Sequence, residues 1–232
     1  MSKHKALVLS SGGVDSTTCV GIAVKELGSE NVSTVSIRYG QKHDKELVCA
    51  SAVSAFYNVN HYELNLSEIF THSNCPLLAT SSKDIPVGEY SEQIDRAENG
   101  MVSTYVPFRN GLMLSAVAAL AMSIYPDDDV DVYIGAHADD AAGSAYADCS
   151  VDFNLAMGKA ILIGTYQKVH LKTPLVEMNK AEVVKVGLGL DVPYHLTWSC
   201  YKGGDRPCGE CGTCIDRAKA FEANGVADPA LV

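Results

Sequence analysis

The stretch ALVLSSGGVDST, residues 6–17, joins a short apolar run to a segment with helical character. The apolar run has the composition of a buried strand, and residues 15–27 have that of a helix. Between them, Gly12 and Gly13 permit positive φ and close approach of the backbone to a ligand. Backbone amides can then converge on an anion at the start of the helix. The alternative is an ordinary glycine turn capped by Asp15.

This loop is rich in hydroxyl groups and has no lysine. It matches neither GxxxxGK[ST], the Walker pattern, nor GxGxxG, the dinucleotide fingerprint. The loop therefore offers backbone amides and hydroxyls, and no lysine, to an anion. The candidate phosphate-binding residues are Ser10, Ser11, Gly12, Gly13, Val14, Asp15, Ser16 and Thr17.

Strand-like and helix-like segments alternate along the chain, which predicts an α/β fold with a doubly wound, mainly parallel sheet. The predicted strands are 5–10, 31–39, 60–66, 130–135 and 168–175, and the predicted helices are 15–27, 44–57, 110–125, 151–163 and 180–189. Ligands of such sheets bind beyond the carboxyl ends of the strands. The polar interval 67–104 breaks the alternation, and we predict a partly helical, mobile cover over the site. The alternative is a surface excursion.

Composition narrows the class of protein. The 232 residues are 47% hydrophobic and 20% charged, which is ordinary for a soluble globular protein. With 18 basic and 28 acidic residues the formal charge is −10, which argues against a nucleic-acid partner bound through many phosphates. No secretory signal and no run of about 20 apolar residues is visible, so we expect a cytoplasmic location and no membrane partner.

Four of the eight cysteines crowd into one short segment, with the spacing C-x7-C-x2-C-x2-C. The predicted metal ligands are Cys200, Cys208, Cys211 and Cys214. Four thiolates leave a zinc ion no open position for water, so the expected role is structural. A four-iron cluster and unmetallated thiols are the alternatives. We expect residues 1–190 to form the main α/β domain, which carries the loop 10–17, and residues 191–232 to form a zinc-binding subdomain.

Other polar residues follow the predicted strands. Tyr39, Gln41 and His43 end the second strand. A lone histidine there is more often a solvated loop residue than a catalyst, yet Gln41 and His43 would face the crevice. His137, Asp139 and Asp140 follow the fourth strand, where carboxylates suit Mg²⁺ bound with phosphate, or simply form a solvated acidic turn.

Two basic residues begin predicted helices. Arg109 and Lys180 each stand in a first turn, where the helix dipole disfavours a cation, so each needs an anion nearby. A phosphate or a substrate carboxylate would serve, and so would an acidic side chain. Asn179 and Glu182 have the spacing of a capping box around Lys180.

These motifs together resemble a known family. SGGVDS at 11–16 resembles the pyrophosphate loop of the N-type ATP pyrophosphatases, or PP-loop proteins. With YGQKH, VPFRN, KTPL and the cysteine-rich tail in this order, nearly the whole chain resembles the 7-cyano-7-deazaguanine synthases. The resemblance implies an adenine nucleotide alpha hydrolase-like fold, and a ligase that uses ATP, ammonia and 7-carboxy-7-deazaguanine, releases AMP and pyrophosphate, and requires Mg²⁺.

The resemblance also implies roles for residues of this chain. Asp15, Arg109 and Lys180 would be catalytic, and the substrate-binding residues would be Tyr39, Gln41, His43, Arg109, Asn110, Asp148 and Phe153. The partners would be these small molecules, with no stable nucleic-acid partner and a possible homodimer.

The chain departs from the family pattern at 145–150. Where the family reads close to SGYPDCR, this chain has AYADCS, without the proline and the arginine. A divergent ligase that joins a deazapurine acid to another amine is therefore an alternative. A tRNA-modifying PP-loop enzyme, which would need a reactive cysteine among Cys19, Cys49, Cys75 and Cys149, is another. A non-catalytic nucleotide-binding scaffold is the third.

Overall fold

The computed structural model describes residues 4–95, 101–141 and 146–231, apart from the side chains of Ser91 and Ala141. Five parallel strands form one sheet in the order β3-β2-β1-β4-β5. The strands are β1 (His4–Leu9), β2 (Val32–Arg38), β3 (Asn60–Asn65), β4 (Asp129–Tyr133) and β5 (Val169–Lys172). The helices are α1 (Val14–Leu27), α2 (Lys45–Phe56), α3 (Tyr90–Asp95), α4 (Arg109–Ile124), α5 (Ala138–Ala141), α6 (Val151–Gly164), α7 (Lys180–Leu188) and α8 (Gly212–Ala223).

The central strand β1 is buried on both faces, and two apolar clusters lie on opposite sides of the sheet. Leu7 packs on one side with residues of α4 and α6, and Ala6 and Val8 pack on the other with residues of α1, α2, α7 and α8. The predicted doubly wound α/β fold is therefore confirmed. Because β1 lies between β2 and β4, the strand order reverses at its carboxyl end, which is where such folds bind ligands.

The long apolar helix α4 buries one face against the sheet. Met113, Leu114, Val117, Ala118 and Ala121 lie on the buried face, at helical spacing. Fully burying a leucine contributes about 1.5–3 kcal/mol. The burial of α4 therefore holds its first turn, with Arg109, firmly beside the ends of the strands.

The interval predicted to cover the site is partly built into the core. Phe70, Cys75, Leu77 and Leu78 are buried in the same cluster as α4, and Ala79 donates its backbone N–H to the carbonyl of Gly40 at 2.8 Å. Farther along the interval, α3 supplies a helical part, as predicted. Residues 96–100 lie outside the described part of the chain, and the mobility of the cover stays a prediction.

The segment after residue 190 contributes to the main core. The ring of Tyr194 packs edge-on against Phe221 of α8, with centroids 5.3 Å apart. Arg217 is buried and forms two charge-assisted hydrogen bonds with Asp228, at 2.6 and 2.8 Å. Tyr194 and Phe221 thus share an apolar core with residues that precede residue 190. The division of the chain into two domains at residue 190 stays a prediction. None of the described helices is long and apolar enough to cross a membrane.

Candidate functional site

A cavity of about 210 Å³ opens beyond the carboxyl ends of β1, β2 and β4. Its walls include the residues directly after these strands, Ser10, Tyr39 and Ile134, and His137 a few positions further along. The opposite wall comes from α3, α4 and the cysteine-rich tail. The predicted position of the site, at the carboxyl edge of the sheet, matches this cavity.

The loop after β1 presents hydroxyls and amides to the cavity. Ser11, Gly13, Asp15 and Ser16 line it together with Ser10, whose buried Oγ has no partner in the described structure. The hydroxyls of Ser11 and Ser16 lie 3.1 Å apart, and Ser16 also accepts the backbone N–H of Ser11 at 3.1 Å. The loop is therefore held in shape while donor groups remain available for an anion.

Three residues predicted to bind phosphate lie behind the loop. Val14 and Thr17 are buried, Val14 in the apolar cluster of α1, because the first turn of a helix alternates between the ligand and the core. Gly12 faces the neighbouring backbone and does not line the cavity. The side chains of Val14 and Thr17 therefore cannot contact a ligand in the cavity.

Gly12 has φ of 75°, and a Cβ there would lie 2.3 Å from the carbonyl oxygen of Glu46 and 2.6 Å from the amide nitrogen of Ala50. Its carbonyl accepts the N–H of Trp198 at 2.9 Å. We expect Gly12→Ala to destabilise the protein by roughly 2–4 kcal/mol, since strain and overlap add. Gly13→Ala is the matched control, because its Cβ meets nothing closer than 3.4 Å. Chemical denaturation of both variants measures the difference, and equal stabilities would contradict this account of Gly12.

Asp15 and Lys180 form an ion pair in the cavity. The ammonium Nζ of Lys180 lies 2.7 and 2.5 Å from the two carboxylate oxygens of Asp15, and 3.3 Å from Nε2 of His137. Burial raises the pKa of Asp15, but the charges of Lys180 and His137 outweigh it and hold that pKa below its usual value. The anion that the sequence required for Lys180 is thus Asp15.

The start of α7 is capped as the sequence predicted. Asn179 accepts the N–H of Glu182 at 2.9 Å, and the Glu182 carboxylate accepts the N–H of Asn179 at 2.8 Å. The backbone N–H of Lys180 donates to Asp139 at 2.7 Å. Asp139 therefore caps the helix and is absent from the cavity lining, unlike Asp140.

Asp140 and Asp216 bring two more carboxyl groups to the cavity. Asp140 lies 3.3 Å from Nε2 of His137, and burial raises its pKa against the opposing charges of His137 and Lys180. Asp216, in α8, has its pKa raised to about 6 by burial, with Lys180 opposing the shift. The charge of Lys180 acts on both acids, so this end of the cavity is rich in carboxylate oxygens.

Arg109 reaches into the cavity without an acidic partner. One of its Nη atoms lies 3.3 Å from the Tyr39 hydroxyl, and the guanidinium stands 5.1 Å from the centre of that ring. No carboxylate of the described residues lies within 4.0 Å of it. Gln41 also lines the cavity, but its Oε1 accepts the N–H of Tyr39 at 2.8 Å, so it shapes the turn.

Asn110 lines the cavity, but two other predicted substrate-binding residues lie outside its lining. Asp148 is buried and accepts the backbone N–H of Asn110 at 2.9 Å, which satisfies the start of α4. Phe153 packs edge-on against Phe108, with centroids 5.9 Å apart. A helix terminus and an aromatic pair thus engage these two residues, and their contact with substrate stays a prediction.

His43, a further predicted substrate-binding residue, also lies outside the cavity lining, and its contact with substrate stays a prediction. Its ring covers Gly203 in the tail, where a Cβ would lie 2.4 Å from the ring carbon Cδ2. His43 therefore packs against the cysteine-rich segment and does not line the cavity.

At the unusual stretch 145–150, the structure describes residues from 146 onward. Tyr146 lines the cavity, and its hydroxyl lies 2.6 Å from Oγ1 of Thr104. Ser150, which stands where the family has arginine, caps α6 by accepting the N–H of Phe153 at 3.2 Å. Residue 145 and the loop before it lie outside the described residues.

The four predicted cysteines come together as one cluster. The sulfur atoms of Cys200, Cys208, Cys211 and Cys214 all lie within 4.8 Å of one another, which suits a metal ion. Backbone N–H groups support the sulfurs: that of Cys208 donates to Cys200 and that of Cys211 to Cys208, at 3.3 and 3.4 Å. Such second-shell bonds stabilise thiolates around a metal.

Sequence reasoning missed several residues of the cavity wall. The cavity is also lined by Glu46, Tyr90, Tyr146, Trp198, Ser199, Tyr201, Thr213 and Asp216. The hydroxyls of Tyr90 and Tyr201 lie 2.9 Å apart, which joins α3 to the tail. One signal was available: Glu46 and Asp216 closely follow motifs already singled out.

A glycine and hydroxyl loop at the switch point of a doubly wound parallel sheet defines an α/β protein of the PP-loop class. The family model described as queuosine biosynthesis protein QueC matches residues 5–225. A 7-cyano-7-deazaguanine synthase from Archaeoglobus fulgidus is 40% identical over 98% of this chain and 90% of its own length. One from Caldicellulosiruptor saccharolyticus is 41% identical over 97% and 94%. The structure of an NMN synthetase from Francisella tularensis covers 97% of this chain and 78% of its own, at 16% identity and a TM-score of 0.49. The chain belongs to the QueC family.

Proposed function

We propose that this protein converts 7-carboxy-7-deazaguanine and ammonia to 7-cyano-7-deazaguanine at the expense of ATP, in queuosine precursor biosynthesis. The proposal rests first on membership of the family and on relatives about 40% identical along nearly their whole length. The observation that supports it in the structure is the cavity itself, which joins a loop of the pyrophosphate-binding type to an arginine that has no acidic partner among the described residues.

The chemistry explains why both features are needed. A carboxylate resists attack by ammonia because it is anionic and its oxygen is a poor leaving group. Transfer of AMP from ATP to that oxygen gives an acyl adenylate and pyrophosphate, and ammonia then displaces AMP to form the amide. A second adenylation, on the amide oxygen, allows loss of AMP and a proton to give the nitrile. One cavity can serve both steps.

The roles follow from position. Donors of the loop, with Ser10 Oγ free, would hold the departing pyrophosphate. Lys180 would turn from Asp15 toward the phosphates as charge develops there, and Arg109 would bind the acid of the substrate. Orientation of ATP beside the acid then supplies much of the rate enhancement.

Mg²⁺ bound with ATP would offset phosphate charge. Asp15 and Asp140 place carboxylate oxygens 3.8 and 3.3 Å from Nε2 of His137, on one side of the cavity. Oxygen donors of this kind suit Mg²⁺, which keeps several of its waters. Asp15 is the carboxylate of the loop that would hold the ion.

The cysteine cluster would hold a structural zinc ion. Tetrahedral zinc with Zn–S bonds of about 2.3 Å separates the sulfurs by about 3.8 Å. The sulfurs of Cys208 and Cys214 lie 3.9 Å apart. An iron-sulfur cluster binds each thiolate to a different iron and spreads the sulfurs farther, so the compact arrangement favours a single ion.

The tRNA-thiolating alternative finds less support. Such chemistry needs an exposed thiolate near the nucleotide. Burial raises the pKa of each thiol outside the cluster, those of Cys19, Cys49, Cys75 and Cys149. The divergent-ligase alternative keeps the same adenylation and differs only in the amine.

We expect incubation with ATP, ammonium and 7-carboxy-7-deazaguanine to yield the nitrile, with AMP and pyrophosphate in parallel. Mass spectrometry of the products checks this, with a reaction lacking ammonium as control. An amide alone, or a product containing another supplied amine, would favour the divergent ligase. Orthophosphate and ADP in place of AMP would refute the adenylation chemistry.

A further inference from the structure

Glu46 is a carboxylate that faces the cavity without a partner. It lies in the first turn of α2, and its carbonyl packs against Gly12 of the phosphate loop. Its side chain makes no hydrogen bond and no ion pair within 4.0 Å to any described residue. Burial raises its pKa to about 7, against the opposing charge of Arg109. A half-buried acid that accepts no hydrogen bond from the described part of the chain can accept hydrogen bonds from donors brought by a ligand.

Arg109 presents the converse condition in the same cavity. Among the described residues, its guanidinium donates to the hydroxyl of Tyr39, lies beside that ring, and forms no ion pair within 4.0 Å. Burial raises the pKa of Tyr39. The positive charge of Arg109 opposes this shift and the negative charge of Glu46 adds to it, so both charges act on this ring. Yet Glu46 and Arg109 are too far apart to pair, although opposite charges in a shared cavity attract strongly. The cavity therefore fits a ligand with an anion at one end and hydrogen-bond donors at the other.

We propose that Glu46 determines specificity for the six-membered ring of the substrate: its two oxygens accept hydrogen bonds from N1–H and the 2-amino group of the deazaguanine, while Arg109 binds the carboxylate on the five-membered ring. This inference rests on the proposed function. The ring presents two parallel donors on one edge, which is the pattern that a carboxylate accepts with both oxygens. The acid group lies on the opposite side of the bicycle.

The same geometry excludes competitors. The corresponding edge of adenine carries one amino donor beside the N1 acceptor, whose lone pair would face a carboxylate oxygen. A hypoxanthine-type ring keeps N1–H but lacks the 2-amino group, and would leave one oxygen of Glu46 buried without a donor. Glu46 would therefore select for the amino group, whereas Arg109 would select for the acid.

The test compares binding of 7-carboxy-7-deazaguanine with that of the analogue lacking the 2-amino group, by calorimetric titration without ATP. The natural protein is expected to prefer the former about 10–100-fold. Glu46→Gln should reduce the preference to about twofold or less, because the amide offers one acceptor and places a donor against a donor. Glu68→Gln, at an exposed site, is the matched control and should keep the preference. Unchanged ATP affinity of Glu46→Gln would show that its loop is intact.

Two outcomes overturn the inference. One is equal affinity of the natural protein for both acids, which needs no folded variant. The other is a Glu46→Gln variant that keeps the preference while its ATP affinity falls, which would place Glu46 on the nucleotide. Pyrophosphate exchange dependent on the acid tests the proposed function separately. A protein that discriminates between the two acids but catalyses no exchange would retain the specificity role and lose the proposed reaction.

Discussion

Replacing Asp15 with asparagine is expected to lower acid-dependent pyrophosphate release about 10³-fold or more while leaving the protein folded. Asparagine keeps the shape of the side chain but removes the charge that holds Lys180 at 2.5 Å and that would hold the ion bound with ATP. Loss of one preorganised charge-stabilising group typically costs about 10²–10³ in rate, and here both a cation-binding and a lysine-orienting role are lost. A coupled pyrophosphate assay measures the rate.

The control for Asp15 is Asp127→Asn, an equal loss of charge at an exposed turn. That variant should retain the rate of the natural protein. Thermal unfolding of both variants separates a catalytic defect from a folding defect, because Lys180 is left without its carboxylate partner in the Asp15 variant. Near-normal pyrophosphate release by Asp15→Asn would remove this carboxylate from the mechanism.

Replacing Cys211 with alanine is expected to abolish stoichiometric metal binding and to lower stability by at least about 3 kcal/mol, or roughly 6–12 °C in Tm. Cys211 is fully buried at the start of α8, so loss of the metal would loosen both the cluster and this helix. Activity should fall as well, because Trp198, next to the cluster, holds the phosphate loop through Gly12. Metal analysis and calorimetry give the two readouts.

Cys75→Ala is the matched control, since Cys75 is equally a buried thiol but lies in the core cluster of the sheet. It should keep the full metal content and lose only the stability expected of a small cavity. A folded and active Cys211→Ala variant without metal would contradict the structural role of the cluster. If the natural protein were found to contain iron and sulfide, the four cysteines would hold an iron-sulfur cluster and not zinc.

The features that could be predicted from the sequence are those encoded locally. The loop 10–17 shows itself because a glycine pair follows an apolar strand, and the cysteines show themselves by spacing. The capping box of Asn179 and Glu182 is likewise contained in four residues. In each case the physical cause, a backbone angle or a ligand geometry, acts over a few positions.

The residues that escaped prediction depend on distant contacts. Asp148 is withdrawn from the site because the backbone N–H of Asn110, 38 positions away, needs an acceptor. Asp216 lies in the cavity because its own helix, α8, packs on α7. The cysteine spacing in this segment predicts a metal site but not the helix. The role proposed for Glu46 depends on Arg109, which lies on a different helix and whose positive charge acts in the same cavity. Hydrophobic periodicity carries no information about contacts between residues so far apart in the sequence.

The hydrogen bond between Gly12 and Trp198 also has a consequence for folding during synthesis of the chain. A ribosome makes the phosphate loop early and its backbone partner late. A nascent chain that ends before Trp198 contains Gly12 and Gly13 but lacks the backbone N–H that donates to the carbonyl of Gly12. The conformation of the loop at residues 10–17 therefore depends on a backbone contact from a residue far along the chain, and this contact can form only after residue 198 has been made.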